Sequence, residues 1–222
     1  MTFFNYLSQV FSEFITSLSE IKPTSLTFVL TILAISSALY VTAIKSNKDK
    51  FTPKILVNGS LAIASAFVLS YLRLYHWPQG GSITLASMLP LMVFAYIYGT
   101  KFGVIAGFVY SILQLIQDPF IVHFAQLLLD YPFAFAAIGF AGLCKKSLPL
   151  AVLVGGSSRF VFHFLAGAIF FGSYAPEGQS PFLYSLIVNG LIIGTDTLIC
   201  LIISLLPPFR GAINRIKSTI TI

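Results

Sequence analysis

Charge is what this chain has least of. Only 9% of its 222 residues are Asp, Glu, Lys or Arg, against about 25% in an ordinary soluble domain. So few ionised groups cannot coat a water-facing surface. A soluble globular domain, a disordered chain and a nucleic-acid binder of the basic-patch kind are excluded. Cysteine is as scarce: Cys144 lies beside Lys145 and Lys146, and Cys200 lies in an apolar run, so free or packed thiols are expected rather than a bridge. The chain lacks a glycine-rich loop with Lys-Ser/Thr, so it does not encode ATP hydrolysis itself. It lacks a metal-ligand cluster, and no Ser-His-Asp or Cys-His arrangement is supported by spacing, so neither a cofactor nor an enzyme is expected. Strict alternation is missing too, which argues against a β-barrel.

What is present is hydrophobic length. Apolar residues make up 57% of the chain and the mean hydropathy is +0.91. A spanning helix needs about 20 mostly apolar residues. Seven stretches qualify: Ser25–Ala43, Lys54–Leu74, Ser82–Tyr98, Phe102–Gln117, Pro119–Leu143, Leu148–Phe171 and Phe182–Leu206. The expected fold class is therefore all-α, a polytopic helical bundle. Residues 1–24 lack the basic start and continuous apolar core of a signal peptide. Phe3, Leu7, Val10, Phe11, Phe14 and Leu18 instead follow helical spacing, which predicts an amphipathic helix on the outer membrane interface or packed on the bundle.

Lys45, Lys48, Lys50, Lys54, Lys101, Lys145, Lys146, Arg210, Arg215 and Lys217 all fall on one side of a seven-span arrangement. By the positive-inside rule that side is cytoplasmic. The C-terminus is then inside and the N-terminus outside. The +6 net charge reports topology, and membrane lipid is an expected partner while nucleic acid is not.

Polar residues inside apolar spans carry a free-energy cost and call for a reason. His123, Gln126 and Asp130 share a helical face, and Pro132 follows at a point where a helix bends or breaks. This reads as a carboxylate presented to a ligand, or as a hydrogen-bonded stripe between helices. Arg159 and His163 are i, i+4 neighbours. His163 is a ligand contact or a packed histidine, and Arg159 needs a carboxylate partner, Asp196 or Asp130. Asn189 and Asp196 share a face of the last span, with Tyr184 nearer the outer mouth and Asp196 read as structural. Trp77, the only tryptophan, stands in a turn-rich outer loop as a lid or an interfacial belt residue. Ala62 and Ala66, like Gly103 and Gly107, are small residues four apart. They allow close helix contact, either within the bundle or with another subunit. Together the groups suit a small, flat, nitrogen-rich cation.

Five motifs carry a resemblance. They are Pro78-Gln-Gly-Gly-Ser-Ile-Thr84, Tyr98-Gly-Thr-Lys-Phe-Gly103, Val122-His-Phe-Ala-Gln-Leu-Leu-Leu-Asp-Tyr-Pro132, Arg159-Phe-Val-Phe-His-Phe-Leu-Ala-Gly167 and Tyr184-Ser-Leu-Ile-Val-Asn-Gly190. Over about Lys54 to Leu206 the chain resembles the thiamine-specific substrate-binding (S) components of energy-coupling factor (ECF) transporters of Gram-positive bacteria. The resemblance implies a six-helix core, residues 51–206. An extra transmembrane helix and loop, residues 25–50, would precede it, and a cytoplasmic tail, residues 207–222, would follow. It implies a multi-pass protein of the bacterial cell membrane that binds thiamine from outside and delivers it through a coupling subunit and two ATPases. It assigns the pyrimidine-binding carboxylate to Asp130, with Tyr131 beside it. Ring and hydroxyl contacts fall to His163, Phe171, Tyr184 and Asn189, with Trp77 the approximate lid match, and subunit docking falls to Ala62 and Ala66; Gln126 joins the expected site from its shared face with Asp130. The competing expectation is a stand-alone proton-coupled transporter using Asp130, Arg159, His163 and Asp196 as a relay.

Overall fold

The computed structural model describes residues 50–78 and 80–220, together with Thr27, Leu30, Thr31, Ala34, Ala38 and Val41. The order of elements is α1 (Pro53–Ser70), β1 (Arg73–His76), β2 (Ser82–Thr84), α2 (Leu89–Tyr98), α3 (Thr100–Gln117), α4 (Phe124–Leu143), α5 (Leu148–Phe170), α6 (Pro181–Leu205) and α7 (Pro207–Ile220). Three of these helices begin on one local signal. Thr52, Ser147 and Ser180 are extended caps whose side-chain oxygens accept from Ile55 N, Leu150 N and Leu183 N, and a proline stands in the first turn of each helix. Proline has no N–H to lose there, and the hydroxyl satisfies one of the free amides.

Helices α1, α3, α4, α5 and α6 are each at least 18 residues long and apolar, enough for a hydrocarbon layer about 30 Å thick. The protein is a multi-pass helical membrane protein. The proposed amphipathic segment, residues 1–24, lies outside the described residues, as does most of the first span. Thr27, Leu30, Thr31, Ala34, Ala38 and Val41 of that span are helical and exposed.

Glycine sets the spacing of the bundle. A methyl group added at Gly107 would strike the Phe135 carbonyl, and one at Gly139 would strike the Val104 backbone, so α3 and α4 touch main chain to main chain. The Gly103–Gly107 stripe thus packs within this chain. So does the stripe on α1. Ala66 is 0% exposed, Ala62 and Gly59 are buried, and Ala66 O accepts from the Tyr110 hydroxyl. Within this chain Ala62 and Ala66 face inward and admit α2 and α3, while α1 turns Leu56, Val57, Leu61 and Val68 outward.

Two spans are shorter than their apolar runs. Ser82–Tyr98 is not one helix: Ser82–Thr84 is a strand paired antiparallel with β1, and α2 begins at Leu89. Thr84 and Ser87 lie buried in a polar network there, which favours strand and turn over helix. The fifth span starts at Phe124 rather than Pro119, and Leu129–Phe133 forms a π-helical turn around Pro132. The tail, residues 207–222, is helical through Ile220. Ile213 packs into the core and Lys217 sits over the Tyr96 ring, donating to Lys145 O.

Candidate functional site

Proline cannot donate the hydrogen bond an α-helix would require at position 132. The chain widens instead, and the Ala134 N–H reaches back to Leu129 O. Such π turns recur where a side chain must be re-aimed. Here the turn carries Asp130 and Tyr131 to the wall of a cavity between α4, α5, α6 and the β1–β2 hairpin.

Asp130 is held from both sides. Its Oδ1 lies 2.8 Å from His163 Nδ1, and its Oδ2 accepts from Gln126 Nε2 at 2.7 Å. Gln126 is 1% exposed. It also donates to Phe120 O at 3.0 Å and accepts from Val122 N at 3.1 Å, so the loop before α4 and the carboxylate are set by one amide. With the carboxylate accepting, His163 carries its proton on Nδ1, and its Nε2 is buried without a partner among the described residues. Tyr131 turns its hydroxyl to backbone, accepting from Phe120 N at 2.8 Å and donating to Asp118 O at 2.9 Å. His123, expected on the Asp130 face, instead caps α4 by accepting from Ala125 N at 3.0 Å, and its ring stacks on Phe170.

The cavity has a volume of about 130 Å³, roughly ten times what one water requires. Trp77, Gln126, Asp130, Tyr131, His163, Phe171, Tyr184 and Asn189 all line it. Phe171 stacks on Phe120 with ring centroids 5.8 Å apart, making an aromatic wall. The Asn189 amide nitrogen is within 3.2 Å of His163 O and 3.1 Å of Ser185 O, which joins α6 to α5.

Sequence reasoning missed Arg73, Asp118, Phe120 and Phe135 on this wall. Arg73 and Asp118 pair at 3.1 Å, joining the hairpin to the end of α3. Their separation in sequence hides that pairing. Arg159 lies 3.3 Å from Asp196, which is 2% exposed, and its guanidinium sits over the Phe135 ring. Asp196 Oδ1 also accepts from the Thr84 hydroxyl at 2.7 Å, tying the base of the hairpin to α6. Both arginines on the cavity wall therefore have another carboxylate. Asp130 has no arginine or lysine partner among the described residues.

A polytopic helical bundle enclosing a carboxylate and an aromatic wall beneath a hairpin defines a membrane protein built to hold a small polar molecule. The family follows from comparison: the model described as "Thiamine transporter protein (Thia_YuaJ)" matches residues 56–212, and the chain belongs to that family. It is 32% identical over 167 residues to the thiamine transporter ThiT of Bacillus subtilis strain 168, covering 67% of this chain and 86% of that one. To the thiamine transporter ThiT of Lacticaseibacillus paracasei it is 33% identical over 150 residues, covering 58% and 75%. The solved structure of ThiT from Listeria monocytogenes aligns with a TM-score of 0.64 at 26% identity, covering 72% of this chain and 96% of that one. The resemblance read from the motifs holds, and the family is one of transport rather than catalysis.

Proposed function

We propose that this chain is the thiamine-capturing S component of an ECF transporter. In this reading it takes free thiamine from outside the cell and releases it to a module of one transmembrane coupling subunit and two ATPases. One observation carries the proposal: Asp130, fixed by Gln126 and His163 but free of any arginine or lysine among the described residues, faces an aromatic-walled cavity. Thiamine carries one permanent positive charge and an aminopyrimidine edge. The single uncompensated carboxylate balances that charge and accepts from the amine. Phe171 and Phe120 offer faces to the cationic ring. His163 Nε2, Tyr184 and Asn189 remain for ring nitrogen and hydroxyl. Gln126 and Tyr131 act by holding Asp130 and the neighbouring loop, since the protein engages their polar atoms. Trp77 stands at the hairpin that closes the mouth. The hairpin side is outside and the α7 side cytoplasmic, as the positive-inside rule requires.

The direct test is titration of the purified chain with thiamine, without ATP, read by the fluorescence of Trp77. Saturable quenching in the nanomolar to micromolar range is expected. Absence of any saturable change sinks the proposal. Uptake into proteoliposomes containing this chain alone, driven by a pH gradient, would favour the proton-coupled reading instead.

A further inference from the structure

Every helix end on the α7 side of the bundle contributes cations and, among the described residues, no carboxylate. Lys145 and Lys146 stand in the turn between α4 and α5, and Arg210 and Arg215 are exposed on α7. The cluster is spatial as well as sequential: Lys217 of α7 donates to Lys145 O and covers the Tyr96 ring, and Arg210 lies within electrostatic reach of the same tyrosine. Burial, and then the Lys145 charge, pull the Lys217 ammonium below the usual lysine range. A patch whose own members repel one another calls for counter-anions.

The position of α7 says which anions. Pro207 and Pro208 end α6 and redirect the chain, so α7 begins where the apolar span stops. Its apolar residues Phe209 and Ile213 are taken up by the bundle. Leu205, Leu206 and Ile216 remain exposed beside the arginines. Apolar side chains flanked by long cationic ones at the end of a membrane span match the layered chemistry of the interface, acyl chain next to phosphate.

We propose that α7 and the α4–α5 turn form a binding surface for anionic phospholipid headgroups, with the phosphodiester as the recognised group. The surface is independent of the cavity and of what the cavity holds.

Native mass spectrometry of the full chain in mild detergent, offered equimolar phosphatidylglycerol and phosphatidylcholine of matched acyl chains, tests this. The wild type should retain the anionic lipid at least about fivefold over the zwitterionic one, since each basic residue near anionic lipid adds a several-fold preference. K145Q/K146Q/R210Q/R215Q should fall to within about twofold of parity, while K145R/K146R/R210K/R215K keeps the preference. Melting in lipid-free detergent checks that each variant is folded. If the quadruple neutral variant does not melt cooperatively, K145Q/K146Q and R210Q/R215Q are measured separately, and each should lose part of the preference. The proposal is overturned by equal retention in the wild type, by preference surviving neutralisation, or by its loss in the charge-conserving variant. Displacement of the lipid by millimolar glycerol 3-phosphate would mark a soluble-anion site and overturn it too. So would a neutral variant that keeps its lipid preference but no longer co-purifies with a coupling module, which would make this a protein-docking face.

Discussion

Asp130 decides most at the scale of single residues. A half-buried carboxylate with no arginine or lysine partner among the described residues is poised for a cation. Asp130→Asn keeps the shape and removes the charge, so thiamine affinity should fall by about 2–5 kcal/mol, the usual effect of truncating one side of a buried charge pair. Trp77 fluorescence titration measures it, and unchanged affinity would remove Asp130 from the site. Gln126 acts one step back. Gln126→Leu deletes three hydrogen bonds to Asp130, Phe120 and Val122. It should weaken binding by about 1–3 kcal/mol, since buried polar groups are left unpaired. Asp196 belongs to stability rather than to binding. Asp196→Ala strands Arg159 inside the bundle and should destabilise the fold by about 3–5 kcal/mol, seen as a lower melting temperature in detergent.

Elements set how the cavity opens. The β1–β2 hairpin is fixed at its base by Thr84 to Asp196 and at its rim by Arg73 to Asp118. The inner tie is buried and the rim pair is 30% and 38% exposed, so the rim is the weaker attachment. Exposed pairs contribute about 0–1 kcal/mol. Arg73→Gln should therefore raise the thiamine off-rate by about two- to fivefold and leave the melting temperature nearly unchanged. Stopped-flow fluorescence distinguishes this from a loss of fold. Added salt should accelerate release from the wild type in the same direction, because exposed pairs are screened.

At the scale of the whole molecule, the family match spans residues 56–212. Among the described residues every cavity side chain lies between Ser70 and Ile193, and 72% of this chain already spans 96% of the Listeria monocytogenes ThiT chain. A protein starting at Lys50 should accordingly bind thiamine within about twofold of the full chain's affinity, a difference of about 0.4 kcal/mol. Isothermal titration of the two proteins side by side checks it. A large loss would place residues 1–49 at the site.

Composition and pattern alone determined the class. A chain with 9% charge and long apolar runs has to lie in a membrane, and the polar residues left inside those runs had to be either the site or its supports. All eight expected cavity residues line one cavity: helical periodicity put Gln126 and Asp130 on one face, and the motif resemblance supplied most of the rest. Periodicity could not say which way the α1 stripe pointed. Inward packing and outward docking demand the same small residues, and only the bundle shows Ala62 and Ala66 buried. Nor could it foresee the π-helical form of the turn at Pro132, the strand at Ser82–Thr84 or the pairing of Arg73 with Asp118, and it left Arg159 a choice between Asp196 and Asp130. The Arg159–Asp196 pair joins residues 37 apart in sequence and the Thr84–Asp196 bond residues 112 apart. Tertiary structure therefore decided which carboxylate on the cavity wall is left without an arginine or lysine among the described residues, since that is determined by where both arginines find their counter-charges.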